Sequence, residues 1–432
     1  MPFFQKLPRP VIDTLGLIVV SCFFLFFLTL LSACQLADDS AAFDSTLAPI
    51  ASVPAALPVE KIGEAAGYAP TVDLAKVMSS PDYGMQVFLY WREEVADRDL
   101  KLVQEAGFRW VKQEIPWREI EGHAKGAWQW DIPDRMMDQI DAHGLKVVVR
   151  LGSQPAWVSR TELPAISPPD NLQDFYDYVY AVASRYRGRI EAYQIWNEPN
   201  LAREWGNRPP NPAEYTELLK IGYQAVKAVD PQAVVISAGL APTTRNDGEA
   251  MPDIYFVQGM YEAGAAAYFD ALGVHAAGYK SPPEADPAEV AADPGLTNGD
   301  NAPIELRRVY SFRHVEDIRA LMVRNGDAAK KVVILEVGWS VDPRPESPYR
   351  WHAVTLEQQD KYLQRAYAYA QANWQPWIGL MSLIYIANPQ WDWHDEQTFW
   401  SVVYPGYPQL QTAPAYYGLL TMPKVPPVEV PN

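Results

Sequence analysis

Two glutamates in the sequence stand where a pair of carboxyl groups could do chemistry. Glu198 closes the segment Tyr-Gln-Ile-Trp-Asn-Glu and precedes Pro199, and Glu336 closes the apolar run Val-Val-Ile-Leu-Glu. A carboxylate at the end of an apolar strand costs heavily in free energy unless it is paired or has a function. Cleavage of a glycosidic bond needs one carboxyl group to protonate the leaving oxygen and a second to attack the sugar or to activate water. The two glutamates are therefore candidates for such a pair.

The segments that would position these glutamates alternate between short apolar runs and longer amphipathic ones. Runs such as Val147–Val149 are typical of parallel strands that are buried on both faces. The pattern predicts eight strands, at 84–90, 110–114, 146–151, 192–196, 233–238, 271–275, 332–337 and 379–386. It predicts helices between many of them, including 100–106, 135–142, 172–186, 213–229 and 356–372.

Eight strands that alternate with helices indicate the α/β class and a (β/α)8 TIM barrel, forming a single catalytic domain. A doubly wound open sheet would show the same alternation, but no Gly-rich dinucleotide turn follows the first strand. In a (β/α)8 barrel the chemistry lies at the carboxyl ends of the strands. Glu198 ends the fourth strand and Glu336 the seventh, so we expect them to face each other across the barrel mouth.

The motifs around the two glutamates resemble those of clan A retaining glycoside hydrolases, closest to families 39 and 5. The resemblance is carried by Trp-Asn-Glu-Pro at 196–199 and Glu-Val-Gly-Trp at 336–339. Segments at 115–117, 126–131 and 155–157 also resemble such enzymes, and the likeness extends over most of residues 83–421. It implies a carbohydrate substrate and no cofactor.

The resemblance also implies a role for individual residues. Glu198 would be the general acid/base, Glu336 the nucleophile, and Asn197 a ligand of the 2-hydroxyl of the reacting sugar. The carboxyl groups would be about 5–5.5 Å apart, the separation for retention of configuration. The negative charge of Glu336 is expected to raise the pKa of Glu198 and keep it protonated.

Other candidates for substrate binding follow the predicted strands. His275 ends the sixth strand, where family members carry a histidine and a tyrosine that bonds the nucleophile. Ala277 occupies the usual tyrosine position, so Tyr279 is the candidate here. A hydrogen-bonded core imidazole is an equal alternative for His275. Arg150 could contact a sugar hydroxyl or orient a carboxylate, and it could equally be a structural ion partner.

Aromatic side chains are frequent in the expected loops, and the whole chain has 15 Trp and 24 Tyr residues. Sugar rings stack on aromatic faces, although core packing explains many tryptophans equally well. The candidates for the cleft are Trp117, Trp157, Trp391 and Trp393.

The net charge of the chain limits the classes of partner that it is expected to bind. A formal net charge of −17 repels phosphate backbones, so we expect no nucleic-acid partner. No phosphate-cradling loop, no Gly-x-Ser-x-Gly elbow and no His-Glu-x-x-His metal motif occurs in the sequence, and no metal site is expected. We expect a monomer. Two rivals to the hydrolase remain, a non-catalytic carbohydrate-binding lipoprotein and a transglycosylase that uses the same two glutamates.

The N-terminal region has the pattern of a targeting segment. A basic start, an apolar run and Leu-Ser-Ala-Cys predict a secretory signal over residues 1–34, with lipidation at Cys34, as in bacterial lipoproteins. The alternative is an uncleaved signal anchor. Either places the chain outside the cytoplasm and at a membrane, on the cell surface or in the periplasm. Residues 35–75 read as an Ala/Pro/Ser-rich linker, 76–422 as the catalytic domain and 423–432 as a Pro-rich tail.

Overall fold

Eight parallel strands form a closed barrel in the computed structural model, which describes residues 72–161 and 165–426. Each strand pairs in parallel with the next along the chain, and the first pairs with the last. The strands are β1 (Asp82–Gln86), β2 (Trp110–Pro116), β3 (Lys146–Gly152), β4 (Ala192–Ile195), β5 (Val234–Ile236), β6 (Ala271–Ala277), β7 (Lys331–Gly338) and β8 (Ile378–Leu383). The predicted (β/α)8 barrel is confirmed, with each strand within a few residues of its predicted place.

Helices connect the strands on the outside of the barrel. The α-helices are Leu74–Val77, Glu93–Glu105, Trp117–Ile120, Asp131–Ala142, Leu172–Arg185, Pro212–Val229, Asp253–Glu262, Pro287–Ala292, Val315–Arg324, Leu356–Asn373 and Pro414–Thr421. Short 3₁₀ helices lie at Ala156–Val158, Ala202–Glu204, Ala265–Tyr268, Leu306–Tyr310, Phe312–His314, Arg350–His352 and Glu396–Trp400. In the part of the chain that the structure describes, no helix is long and apolar enough to cross a membrane.

The strands are buried on both faces, as their apolar runs predict. Along β3, Val148 packs in the barrel interior, whereas Val147 and Val149 pack in the layer under the helices. Interior positions therefore recur at every second residue. Trp110, Val148, Ala192 and Ala271 form part of this interior layer. Lys112 and Arg150 lie two positions further along β2 and β3, and His275 lies four positions further along β6. The alternation aims these three polar side chains at the mouth of the barrel.

A bulge in β7 breaks this alternation at the point where Glu336 stands. Val333 and Leu335 belong to the interior layer, so a regular strand would turn Glu336 toward the helices. Val274 of β6 pairs with Ile334, but the next residue, His275, pairs with Glu336. The extra residue re-aims the side chain that follows it. Glu336 consequently faces the barrel mouth.

The ends of the catalytic domain differ from their predicted limits. The predicted linker over 35–75 runs too far, because Val72 and Leu74 are buried and close the interior layer of the barrel. The predicted tail over 423–432 begins too early. The backbone N–H of Val425 donates a hydrogen bond to the Tyr83 hydroxyl oxygen at 2.9 Å, and the Val425 carbonyl oxygen accepts one from Arg109. The predicted signal, Cys34 and most of the linker lie outside the described residues, as do the last six residues.

Candidate active site

Three side chains from different parts of the barrel rim meet at the mouth of the barrel. Glu198 follows β4, His275 lies in β6 and Glu336 in β7. One carboxylate oxygen of each glutamate and one ring nitrogen of His275 all lie within 4.8 Å of one another. The structure therefore brings together the two glutamates that the sequence singled out, with His275 between them.

Glu336 is held as an anion by cations that approach it from inside the barrel. Lys112, whose side chain is only 2% exposed, donates to Oε1 of Glu336 at 2.9 Å and to the Leu335 carbonyl oxygen at 3.3 Å. Burial raises the pKa of Glu336, but the charges of His275, Lys112 and Arg150 outweigh burial and lower it to about 2. The sequence reading missed Lys112, although a lysine inside a fully buried strand is an available signal.

Glu198 is surrounded by donors on both of its carboxylate oxygens. Its Oε1 atom lies 3.0 Å from Nδ1 of His275, and Oε2 accepts a hydrogen bond from Arg203 at 3.2 Å. Burial and the charge of Glu336 raise the pKa of Glu198, but His275 and Arg203 outweigh them and lower it below its ordinary value. The expectation that the pKa of Glu198 is raised is therefore wrong, because the two donors outweigh the field of one carboxylate.

His275 bridges the two carboxylates. Its Nδ1 atom lies 3.0 Å from Glu198 and 3.7 Å from Oε2 of Glu336. The ring fits because residue 239 is a glycine, where an added Cβ would lie 2.2 Å from Nε2 and Cδ2 of His275. His275 is buried, and it belongs to the site rather than to the apolar core.

Arg150 and Glu114 form a second charged pair beside the first. Arg150 donates to Glu114, which also accepts from the Ser153 hydroxyl group. Burial lowers the pKa of Arg150, but the charge of Glu114 raises it by more than burial lowers it, so the guanidinium stays charged. Arg150 is thus an ion partner of Glu114 and also contributes to the positive field at Glu336.

A cavity of about 190 Å³ opens beside this charged pair. Polar side chains from the ends of β1 to β3 and aromatic side chains both line it. It is lined by Gln86, Val87, Phe88, Tyr90, Trp91, Lys112, Gln113, Glu114, Pro116, Arg150 and Asn388. The Oε1 atom of Gln86 is buried and has no hydrogen-bond partner among the described residues. The cavity thus offers donors, acceptors and aromatic faces together, which is the composition of a polar ligand site.

The structure separates the four predicted tryptophans. Trp117 is fully buried, stacked on Tyr178 with ring centroids 4.9 Å apart, and its indole nitrogen donates to Glu121. It lies in the core and has no face for a sugar, which corrects the prediction for this residue. Trp157 is half-buried against the edge of Trp117 and donates to the Glu121 carbonyl oxygen.

The other two tryptophans lie in the segment after β8. Trp391 packs against Phe88, which lines the cavity, and against Tyr385. Trp393 is 51% exposed and packs beside Phe399 and Tyr404. Trp391 is therefore the tryptophan of the four that lies next to the cavity.

Tyr279 does not take the place that family members give to their tyrosine. Its hydroxyl group donates to the Pro242 carbonyl oxygen, 2.9 Å away, rather than to Glu336. The two extra residues after His275 carry the ring past the end of β6, where it packs against Tyr310 and Trp351. Tyr385, which follows β8, is the tyrosine whose pKa is raised by burial and then by the charge of Glu336. Asn197 accepts a hydrogen bond from Gln194 at 3.1 Å, which orients its amide.

The Glu198, His275 and Glu336 side chains also have the spacing of metal ligands, the one such group of three or more in the described residues. The charges around them do not fit that use. Lys112 and Arg203 already neutralise the two carboxylates, so a divalent cation would meet two positive charges at contact distance. The donor set suits proton transfer and nucleophilic attack better than metal binding.

Comparisons with known proteins point in the same direction as the motifs. A family model of glycoside hydrolase family 42, described as beta-galactosidase, matches residues 87–209. No curated protein matches the chain by sequence. A family 39 glycoside hydrolase from Bacteroides cellulosilyticus WH2 has a TM-score of 0.58 at 18% identity, over 82% of this chain and 65% of that one.

Two further solved structures share the fold. A beta-galactosidase from Marinomonas ef1 has a TM-score of 0.52 at 13% identity, over 78% of this chain and 58% of that one. A GH5_18 protein from Streptomyces cattleya has a TM-score of 0.53 at 12% identity, over 79% of each chain. The chain spans less than two thirds of the length of the first two. The resemblance to clan A glycoside hydrolases is confirmed, since the family model and these structures are of that kind.

Proposed function

We propose that this chain is a retaining glycoside hydrolase in which Glu336 is the nucleophile and Glu198 the general acid/base. The observation that carries the proposal is the spacing of at most 4.8 Å between oxygens of the two carboxylates. Retaining enzymes hold their carboxyl groups about 5–5.5 Å apart, whereas inverting enzymes leave about 6.5–9.5 Å for a water molecule. The short spacing favours direct attack by Glu336.

The charges around the two glutamates suit these two roles. The lowered pKa of Glu336, about 2, keeps its carboxylate ionised near neutral pH, so it can attack the anomeric carbon. As the new carbon–oxygen bond forms, the bond to the leaving oxygen breaks and that oxygen takes a proton from Glu198. In the second step Glu198 removes a proton from water, which displaces Glu336 and restores both carboxyl groups.

The cavity beside Glu114 and Arg150 is the proposed site for the sugar that is cleaved off. It lies on the Glu336 side of the barrel mouth, because Lys112 both lines it and donates to Glu336. Sugar hydroxyl groups would bond Gln86, Glu114 and Arg150, and the flat face of the ring would pack on an aromatic side chain. We propose an extracellular polysaccharide or glycan as the substrate.

A panel of aryl glycosides and polysaccharides tests this proposal on the full-length chain, purified in detergent. Glu198→Gln and Glu336→Gln are the test variants, and Glu217→Gln on the outer helix Pro212–Val229 is the matched control. We expect hydrolysis with retained anomeric configuration, lost in both test variants and kept in the control. Full activity in Glu336→Gln would contradict the nucleophile assignment.

The same panel separates the rival functions. Binding of a glycan without turnover would favour a non-catalytic carbohydrate-binding protein. Transfer of the sugar to a second glycan in preference to water would favour a transglycosylase, which uses the same covalent intermediate. Chromatography of the products distinguishes transfer from hydrolysis.

We further propose that the chain is a lipoprotein anchored outside the cytoplasm through Cys34. The support is the Leu-Ser-Ala-Cys ending of the apolar N-terminal run. Intact-mass measurement of the chain from membranes is the test. A lipoprotein begins at Cys34 and carries the mass of its lipids, whereas a signal anchor keeps residues 1–33.

A further inference from the structure

One guanidinium group lies between two carboxyl groups on the leaving-group side of the proposed site. Arg203 donates to Oε2 of Glu198 at 3.2 Å, and its Nε atom lies 3.6 Å from Oε1 of Glu204. The Arg203 side chain is 66% exposed, whereas that of Glu204 is 23% exposed. A long, exposed side chain can shift between two neighbouring acceptors without repacking the core. Arg203 is therefore shared between Glu198, the proposed acid/base, and Glu204, which the proposed mechanism does not use.

The contact with Arg203 is unfavourable for an acid catalyst. The glycosidic oxygen must approach a carboxyl oxygen of Glu198 that carries a proton, but His275 and Arg203 occupy both oxygens and lower the pKa of Glu198. Glu204 is in the opposite condition. Burial first, and then the charges of Glu198 and Glu114, raise its pKa to about 7, although Arg150 and Arg203 oppose the rise. The pKa of Glu204 thus lies above that of Glu198, so Glu204 is the first of the two carboxyl groups to take up a proton as the pH falls.

We propose that Glu204 stores the proton that Glu198 delivers, and that the position of Arg203 determines which of the two carboxyl groups holds it. The inference rests on the proposed function of Glu198. An incoming leaving group displaces Arg203 from Oε2 of Glu198, and the guanidinium then pairs with Glu204. The O–H bond of Glu204 breaks and an O–H bond forms on Glu198, so that no proton is gained or lost overall.

The groups around the pair are consistent with this exchange. Glu198 also faces His275 of β6 and Glu336 of β7, and Glu204 faces Glu114 of β2 and Arg150 of β3. Arg203 also interacts electrostatically with Tyr349 and Glu396, which lie in the loops after β7 and β8. His275, Glu336, Glu114 and Arg150 are held by contacts that do not involve Arg203. The cation that can change partner is Arg203, and Glu204 is a proton-storing residue that acts through Glu198.

Leaving-group dependence tests the inference on the full-length chain. The value of kcat/KM is measured for two glycosides of the sugar that the panel identifies, one with a 2,4-dinitrophenyl leaving group and one with an alkyl leaving group. The first leaves without a proton, whereas the second needs one. For Glu204→Gln we expect a loss of about tenfold or more on the alkyl glycoside, within the range of general acid catalysis, and a change below about twofold on the dinitrophenyl glycoside.

The pH profile of kcat/KM gives a second test, because the inference predicts the direction in which each variant shifts it. Glu204→Gln removes a carboxylate whose charge favours protonation of Glu198, so the basic limb of kcat/KM for the alkyl glycoside moves to lower pH. Arg203→Gln removes a cation that favours the ionised form, so the limb moves to higher pH, by about one unit. Arg208→Gln is the control, because Arg208 is an exposed residue of the same loop that pairs with Glu214. The double variant Arg203→Gln, Glu204→Gln recovers part of the loss seen in Glu204→Gln.

The outcomes separate this inference from the proposed function. Equal losses on both glycosides in Glu204→Gln, or none on either, would overturn the proton-storing role while leaving Glu198 as the acid. An inert wild-type chain, or one that keeps its activity in Glu198→Gln, would contradict the proposed function itself. Unchanged thermal unfolding of each variant confirms that the kinetic differences do not arise from loss of folded protein.

Discussion

The Nζ atom of Lys112 lies 2.9 Å from Oε1 of Glu336, and both side chains are largely buried in the mouth of the barrel. The two residues come from strands that are not neighbours in the barrel and are 224 positions apart in the chain. A buried ion pair of this kind is costly to break, because the remaining charge loses its partner in a region of low dielectric constant. The pair holds the proposed nucleophile in its reactive, ionised form.

Replacement of Lys112 by methionine is expected to raise the pKa of Glu336. The lowered pKa places ionisation of Glu336 well below neutral pH, and loss of a cation that lowers it moves ionisation to higher pH. The acidic limb of kcat/KM therefore shifts upward, by about one pH unit or more. The measurement is the pH profile of hydrolysis of an aryl glycoside. Lys125→Met, which removes a surface pair with Asp174, is the control, and an unmoved acidic limb would show that Lys112 does not set this pKa.

Substitution of Gly239 by alanine is expected to lower activity strongly. The added Cβ would lie 2.2 Å from the His275 ring, so the ring must move away from Glu198 and Glu336. We expect kcat/KM to fall by about a hundredfold, because a small misplacement at the reacting centre is costly. Gly152→Ala, where the added Cβ makes only an ordinary contact of 3.6 Å with Trp196, is the control for the substitution itself. Wild-type kinetics in Gly239→Ala would mean that the position of His275 is unimportant.

Two tryptophans are expected to respond to alanine substitution in opposite ways. Trp117 is a core residue, so Trp117→Ala lowers the free energy of unfolding by about 3–5 kcal/mol. Trp391 lies beside the cavity, so Trp391→Ala raises KM by about fivefold with little effect on unfolding. Urea denaturation and steady-state kinetics on both variants check the contrast. If Trp117→Ala raised KM without lowering the free energy of unfolding, Trp117 would be a sugar ligand rather than a core residue.

Stability should fall as the pH rises above neutral, because His314 gains two aspartate partners on folding. Its Nδ1 atom lies 3.0 Å from Asp317 and its Nε2 atom 3.1 Å from Asp253. Burial lowers the pKa of His314, but the two carboxylates outweigh burial and raise it to about 10. A raised pKa stabilises the folded state fully below the unfolded value of about 6.5, and this contribution is lost as the pH rises through about 10.

The measurement is the free energy of unfolding in urea at a series of pH values from about 6 to 10. His314→Gln should remove most of the decline, whereas His123→Gln, at an exposed position, should leave it unchanged. Equal slopes in wild type and His314→Gln would show that other groups cause the decline.

Much of the fold was predictable from the sequence, because parallel strands buried on both faces leave continuous apolar runs. The runs around Val148 and Val333 fall in β3 and β7, and the barrel order follows once eight such runs alternate with helices. The pairing of Glu198 with Glu336 was also predictable. All strands of a parallel barrel end at the same rim, so residues that follow them must converge.

The details of the site depended on the tertiary structure, since they are set by contacts between distant segments. The bulge that turns Glu336 inward is a property of its register with β6 and β8. A pattern of apolar residues cannot separate Trp117, which is buried under a helix, from Trp391, which packs beside the cavity. The balance of charges on Glu198 depends on Arg203 and His275 together, and charge interactions depend on distance in space rather than in sequence. The sequence by itself determined the barrel and the two carboxyl groups. Only the tertiary structure decided which groups hold them ionised, because burial and proximity of charge exist only once the chain is folded.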